Sequence, residues 1–386
     1  LDSATMPQFF EKRYSSGGLK LLSSAVIFIF LIPYTASLYN GLSRLFAMAF
    51  PIDYAWCVIV MAVLTAIYVI AGGYMATAIN DFIQGVVMIG GIIAVIVSVI
   101  NSQGGFSVAV NKLSGISDAT AGIEAGELSS FFGPDPINLL GVVILTSLGT
   151  WGLPQMVQKF YAIKNEGAIK KGTVISTIFA LIVAGGCYFL GGFGRLFTPD
   201  YAANGSIIYD SIIPNMLSNL SPILIGVVIV LVLSASMSTL SSLVLASSST
   251  LTLDFIKGKI AKNMGKKKQV FIMRVLIVVF IAISAVIAIL QHKSNVTFIA
   301  QLMGISWGAL AGAFLAPFLY GLYWKKTTKA AVWVNIIFST VVMLANMLFK
   351  SYFPTLLQSP INAGAFCMLI GLVIVPVVSL LTKKPE

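Results

Sequence analysis

The chain carries very little charge and almost no imidazole or thiol. Of its 386 residues only 10% are Asp, Glu, Lys or Arg, one is histidine (His292) and three are cysteines. A soluble domain carries about 25% charged residues, so an ordinary solvated globular enzyme is excluded at the outset. A single histidine leaves no ligand set for an intramembrane zinc protease or a haem; His292 reads as a solvated residue of a short outer loop. Cys57, Cys187 and Cys367 lie far apart, in or beside apolar runs. That excludes a disulfide framework and a thiolate metal site, and they read as ordinary core residues. There is no phosphate loop, no dinucleotide fingerprint, no GxSxG elbow and no CxxC.

What the chain has in abundance is hydrocarbon: 58% of its residues are hydrophobic. A membrane span needs about 20 apolar residues. About ten runs meet that length, near 19–48, 54–73, 80–101, 136–160, 171–195, 219–255, 268–291, 295–323, 328–350 and 361–382. The expected fold is an all-α polytopic membrane protein, with residues 1–386 forming one transmembrane domain. The net charge of +11 is no nucleic-acid footprint. Its lysines and arginines gather in alternate loops: Lys12, Arg13 and Lys20; Lys159, Lys164, Lys170 and Lys171; Lys257 to Arg274; Lys325, Lys326 and Lys329; Lys383 and Lys384. The positive-inside rule places these loops and the C-terminus in the cytoplasm. The expected setting is the cell membrane, crossed many times, with the lipid bilayer as a partner and the loop at 102–135 facing outward.

Within these spans the polar residues are concentrated. The run LVLSASMSTLSSLVLASSSTLTLDFIK holds Ser234, Ser238, Thr239, Ser241, Ser242, Ser247, Ser248 and Ser249. Ser234, Ser238, Ser241, Ser242, Leu245 and Ser249 recur at three- and four-residue spacing, which places most of them on one helical face. Two readings are open. Small hydroxyl residues permit close helix packing in membranes. A stripe of hydroxyl and carbonyl oxygens with no competing thiol or imidazole also suits a hard cation such as sodium.

Other spans are interrupted. Pro33 kinks the first beside Tyr34, Ser37, Tyr39 and Asn40; Tyr39 and Asn40 read either as interfacial anchors or as interior functional groups. Gly72 and Gly73 predict a tight turn, with Asn80 capping the next helix and Asp81 in its first turn. Asp81 serves the cap there or reaches into the bundle as a cation ligand. In the fourth span Gly149, Thr150, Gly152 and Pro154 break the helix beside Trp151 and Gln155. Irregular backbone at that depth survives only where it is buried or lines a cavity, and a Gly- and Pro-broken helix points to a transporter's substrate site; a structural kink is the alternative. In the eighth span Gly304, Gly308, Ala311 and Gly312 suit close packing around Ser306 and Trp307.

Several segments together resemble the sodium:solute symporter family, its proline and pantothenate branch above all. They are ATMPQFFEKRY, IPYTASLYNGLSRLF, IAGGYMATAINDFIQG, GLPQMVQKFYAIK and the hydroxyl-rich run, in that order along the chain. The resemblance implies a LeuT-like core of inverted repeats with alternating access around a midplane site. It implies a first sodium site formed by the carbonyl of Ala235 and the hydroxyls of Ser238 and Thr239. It also implies a second at Asp81, Ser238, Ser241 and Ser242, and substrate contacts at Tyr34, Thr150, Trp151 and Gln155. Thr146 and Thr150 stand where the proline branch has aromatic residues, which sets proline itself in question. The family's core begins with a broken helix before the loop at residues 5–10. This chain is therefore expected to lack its first helices, the natural protein to be longer, and this chain alone to be inactive.

The expected function is symport: sodium entry drives uptake of a small polar organic solute, an amino acid such as proline or a carboxylate such as pantothenate. No organic cofactor and no enzymatic activity are expected. A sugar or sialic acid transporter of the same family, or a passive channel, is the alternative. An intramembrane serine enzyme would need a base within hydrogen-bond reach of its nucleophile, and no span offers a mid-span histidine or lysine.

Overall fold

Apolar runs in hydrocarbon must satisfy their backbone groups internally, and the computed structural model of the chain is helical accordingly. It describes residues 3–382 apart from 4, 120–121, 161–162, 164, 203–204, 206, 219, 262 and 295–298. The helices are α1 (Met6–Tyr14), α2 (Gly17–Ala49), α3 (Tyr54–Ser102), α4 (Phe106–Ser114), α5 (Pro136–Ser147), α6 (Gly149–Gly152) and α7 (Pro154–Phe160). They continue as α8 (Glu166–Gly192), α9 (Ile212–Ser218), α10 (Pro222–Thr250), α11 (Lys266–Ser294), α12 (Ile299–Tyr323), α13 (Lys329–Leu348) and α14 (Pro360–Leu381). A two-stranded antiparallel pair, β1 (Asp200–Tyr201) and β2 (Ile207–Ile208), sits in the α8–α9 connection. Among the described residues nine helical segments are long and apolar enough to cross a membrane, and the bent pair α5–α6 and α7 makes a tenth. The ten runs expected from hydropathy are thus all present.

The packing centre is α12, whose most apolar window is 83% buried against 17% for α8. It lies against α14, α2, α13 and α6. The approach to α14 is governed by glycine: a Cβ added to Gly308 would stand 2.7 Å from the Gly364 Cα. The small residues of this span are therefore packing residues. Pro317 lies inside α12 and lacks the N–H that would bond the carbonyl four residues back, Ala313. Asn335 of α13 fills the gap, donating from Nδ2 to the Ala313 and Gly312 carbonyls at 2.9 and 3.0 Å while fully buried. Asn335→Ala should cost about 1–3 kcal/mol by leaving a buried carbonyl unpaired. Thermal unfolding in detergent is the check, and an unchanged midpoint would contradict this role.

Beneath the bundle α1 acts as a strap. Thr5 caps it, accepting from the Gln8 N–H. The Thr5 hydroxyl also donates to Asp254 Oδ2 at 2.6 Å, and Gln8 Nε2 donates to Oδ1 at 2.8 Å. Asp254 is fully buried within a π-helical continuation of α10, Leu251–Ile260. At the other end of α1, Arg13 donates to the Gly321 and Trp324 carbonyls and Tyr14 to that of Pro317. A cation at the C-terminal end of α12 meets both its free carbonyls and its dipole.

The opposite end of α2 carries a second polar network. Arg44 Nε and the Tyr54 hydroxyl both donate to Asn40 Oδ1, at 2.8 and 3.1 Å. Arg44 also stands 3.8 Å from Asp210, which accepts from the Ile299 N–H at the start of α12. Burial raises the Asp210 carboxyl above its ordinary range, opposed by that N–H and by Arg44.

Four local expectations are corrected. Tyr39 and Asn40 are fully buried, so interfacial anchoring does not apply. His292 is no loop residue: it ends α11 with its ring stacked 3.8 Å from that of Tyr54. Cys187 is exposed, while Cys57 and Cys367 are buried. The backbone stays helical through Gly72 and Gly73, so Asn80 is not a cap and Asp81 not in a first turn. The amide of Asn80 instead reaches the Tyr68 hydroxyl at 3.0 Å. In a straight helix their Cα atoms would be about 18 Å apart, beyond the joint reach of the side chains. The helix is therefore not straight between Tyr68 and Asn80.

Candidate functional site: a broken helix beside a hydroxyl stripe

The break in the fourth span has a local cause. Proline disfavours helical backbone in the residue before it, and Leu153 before Pro154 is extended, with φ −82° and ψ 121°. The segments on either side meet at 48°. The break is held against α12 because Gly152 has no side chain: a Cβ there would lie 2.9 Å from the Ala311 Cα and the Leu315 N. Just past the break, Gln155 is buried with neither amide atom hydrogen-bonded.

The stripe on α10 resolves into two successive oxygen triplets. Ser238 Oγ and Thr239 Oγ1 both donate to the Ala235 carbonyl, at 3.1 and 3.0 Å. Ser241 Oγ and Ser242 Oγ both donate to the Ser238 carbonyl, each at 3.0 Å. Such back-bonding is a common fate of mid-helix hydroxyls. It also leaves each hydroxyl's lone pairs turned away from its own helix. The residues of the two predicted sodium sites on this helix are thus clustered as two three-oxygen groups one turn apart.

Ser242 of the second triplet lines a cavity of about 270 Å³ together with Asp81, Gln155, Gln158 and Lys159. Asp81 comes from α3, Gln155 and Lys159 from α7, and Ser242 from α10. Two buried oxygens here have no hydrogen-bond partner: Asp81 Oδ1 and Gln155 Oε1. Unpartnered buried oxygens beside the Ser242 hydroxyl, with no thiolate or imidazole among the lining residues, fit a hard cation. Among the described residues no group of three or more His, Cys, Asp or Glu comes together. Asp81 Oδ2 stands 3.6 Å from Lys159 Nζ. Sequence reasoning passed over Lys159 as one of a cluster of loop charges.

The remaining predicted residues are placed less evenly. Tyr34 is buried on α2 and meets Trp307 of α12 edge to face, 5.8 Å between centroids. Trp307 in turn lies against Gly149 at the break, where an added Cβ would come within 3.5 Å of its ring. Thr150 donates to the Ser147 carbonyl at 3.0 Å. Trp151 is 59% exposed and does not line the Asp81 cavity. The aromatic partner of Tyr34 is therefore Trp307, a residue the sequence points to only through its small-residue neighbours.

Comparison with known proteins agrees with this architecture. A profile of the sodium:solute symporter family matches residues 1–348. The sodium/proline symporter of Staphylococcus aureus is 28% identical over 403 aligned residues, covering 100% of this chain and 74% of its own length. The protein of the same name from strain Newman gives the same figures. Among solved structures, a substrate-bound, outward-open Na+-coupled sialic acid symporter superposes with a TM-score of 0.74 at 17% identity. That match spans 99% of this chain and 78% of the other, a likeness of fold.

Proposed function

Because the chain belongs to the sodium:solute symporter family, whose members are membrane transporters and not enzymes, we propose that it couples sodium entry to uptake of a small polar organic solute by alternating access. The observation that carries this reading is the pair of oxygen triplets on α10 beside the break between α6 and α7. Sodium, the coupling ion, is proposed to bind at the Ala235 carbonyl with Ser238 and Thr239. A second ion is proposed at Asp81, Ser241 and Ser242. The solute is proposed to contact Tyr34, Thr150 and Gln155, with Trp151 as a gate residue at the break. Residues 1–386 act as one transport domain in the bilayer, with the lysine-rich loops and the C-terminus cytoplasmic.

The substrate is proposed to be an amino acid or a small carboxylate. Relatives that share 28% identity over the whole chain are named for proline, and the Gln155 amide offers both a donor and an acceptor to such a solute. Binding of ion and solute biases one conformational equilibrium, so each must raise the other's affinity by the same factor. The test is uptake into proteoliposomes, with amino acids, pantothenate, sugars and sialic acid offered with and without an inward sodium gradient. Saturable uptake of one amino acid or carboxylate that requires sodium is the expected result. Sodium-independent, non-saturable flux would replace the symporter with a channel, and preference for a sugar would overturn the substrate class alone.

A further inference from the structure

The Asp81 carboxylate already has a cation: the ammonium of Lys159, 3.6 Å away. The two belong to different helices. Asp81 sits on α3, whereas Lys159 sits on α7, the half-helix beyond the 48° bend. The lysine is about half exposed and the aspartate less than a quarter, and both line the same cavity. Asp81 Oδ1 and Gln155 Oε1 are left buried without donors, and Ser242 lines the same cavity.

We propose that Lys159 is a tethered counter-cation that competes with sodium for Asp81. In the ion-free state the ammonium neutralises the carboxylate and pins α7 to α3. A sodium ion drawn to the two unpartnered oxygens and the Ser242 hydroxyl neutralises the same carboxylate in its place. The ammonium is then held no longer and α7 is released. The ion pair would thereby couple cation occupancy to the position of the broken helix with no proton transfer. This rests on the proposed second sodium site at Asp81. Arginine would preserve the competition because it keeps the charge, although its planar fork is not interchangeable with an ammonium in detail. A neutral residue would abolish it.

The test is equilibrium binding of radioactive sodium to the purified protein in detergent, a measurement independent of transport. Lys159→Gln should bind the Asp81-dependent sodium at least tenfold more tightly than the unaltered protein, and Lys159→Arg within about threefold of it. Tenfold corresponds to about 1.4 kcal/mol. Because Lys159 is half exposed, the glutamine variant is expected to fold; thermal unfolding checks this. In an Asp81→Asn background the Lys159→Gln change should have no effect on sodium affinity, which closes a double-mutant cycle. Unchanged or weakened binding in folded Lys159→Gln overturns the role of the lysine while leaving the sodium site standing. If Asp81→Asn alone leaves sodium binding intact, the Asp81 site itself fails and the proposal falls with it. A gain that persists without Asp81 assigns the effect to general electrostatics and also overturns the proposal.

Discussion

With an inward sodium gradient, the double variant Ser238→Ala, Thr239→Ala is expected to take up solute at about a hundredth of the unaltered rate or less at limiting sodium. The first triplet supplies three oxygens, two of them these hydroxyls. A hydrogen bond to a charged group contributes about 1.5–3 kcal/mol, and we take each oxygen–cation contact to be of that order. Losing two then removes about 3–6 kcal/mol of sodium binding, and each 1.4 kcal/mol is tenfold. The substitutions delete only a hydroxyl, or a hydroxyl with one methyl, from positions that are partly exposed. Packing should survive. Ser248→Ala is the control, since Ser248 is fully buried and donates to the Val244 carbonyl away from the two triplets. It should retain uptake within about threefold. Unimpaired sodium-driven uptake by the double variant would remove the first triplet from the ion site and return the stripe to helix packing.

The second large effect is expected at the break. Gly152→Val should reduce transport to below a tenth of the unaltered rate and lower the unfolding midpoint by several degrees. The added Cβ would stand 2.9 Å from the Ala311 Cα and the Leu315 N and 3.0 Å from the Leu315 Cα. These are backbone atoms of the most buried helix, so they cannot turn aside as a side chain can, and overpacking of this kind costs about 1–3 kcal/mol or more. Either α6 lifts off α12 or α12 bends; both move Gln155 from its place. Gly149→Ala is the contrast. Its Cβ would meet the Met368 Cε at 3.3 Å and the Trp307 ring at 3.5 Å, and a methionine end can swing away. It should cost little. Equal effects at 149 and 152 would show that the break needs glycine for its backbone conformation and not for its approach to α12.

Much of this was legible in the sequence because membrane hydrocarbon imposes simple rules. The ten spans follow from hydropathy, and the break at Gly149–Pro154 follows from residues that disfavour helix. The oxygen triplets follow from three- and four-residue spacing, since a hydroxyl at i reaches the carbonyl at i−3 or i−4. What was not legible depends on partners distant in sequence. Asn335 repairs the gap left by Pro317, and neither residue alone announces the other. Lys159 looks like one more positive-inside charge until α7 is placed beside α3. The Gly72–Gly73 segment reads as a turn by composition, yet it lies within the helical range of α3. Trp151 and Trp307 are equally plausible pocket residues by type. Only the rotation of their helices puts the second against Tyr34 and leaves the first outward.

The strap formed by α1 sets a direction for motion. Its two ends are fastened to the π-helical continuation of α10 and to the C-terminal end of α12 by hydrogen bonds from Thr5 and Gln8 on one side and from Arg13 and Tyr14 on the other. With those two helix ends bridged they cannot part without breaking buried and part-buried polar contacts, whereas among the described residues the ion pair that ties α7 to α3 across the cavity has a half-exposed lysine. This end of the bundle therefore has a stiff wall and a soft one. A route from the cavity should open along α7 and α3, and distances between labels on α10 and α12 should stay constant as it does, giving an internal ruler against which the movement of α7 can be read.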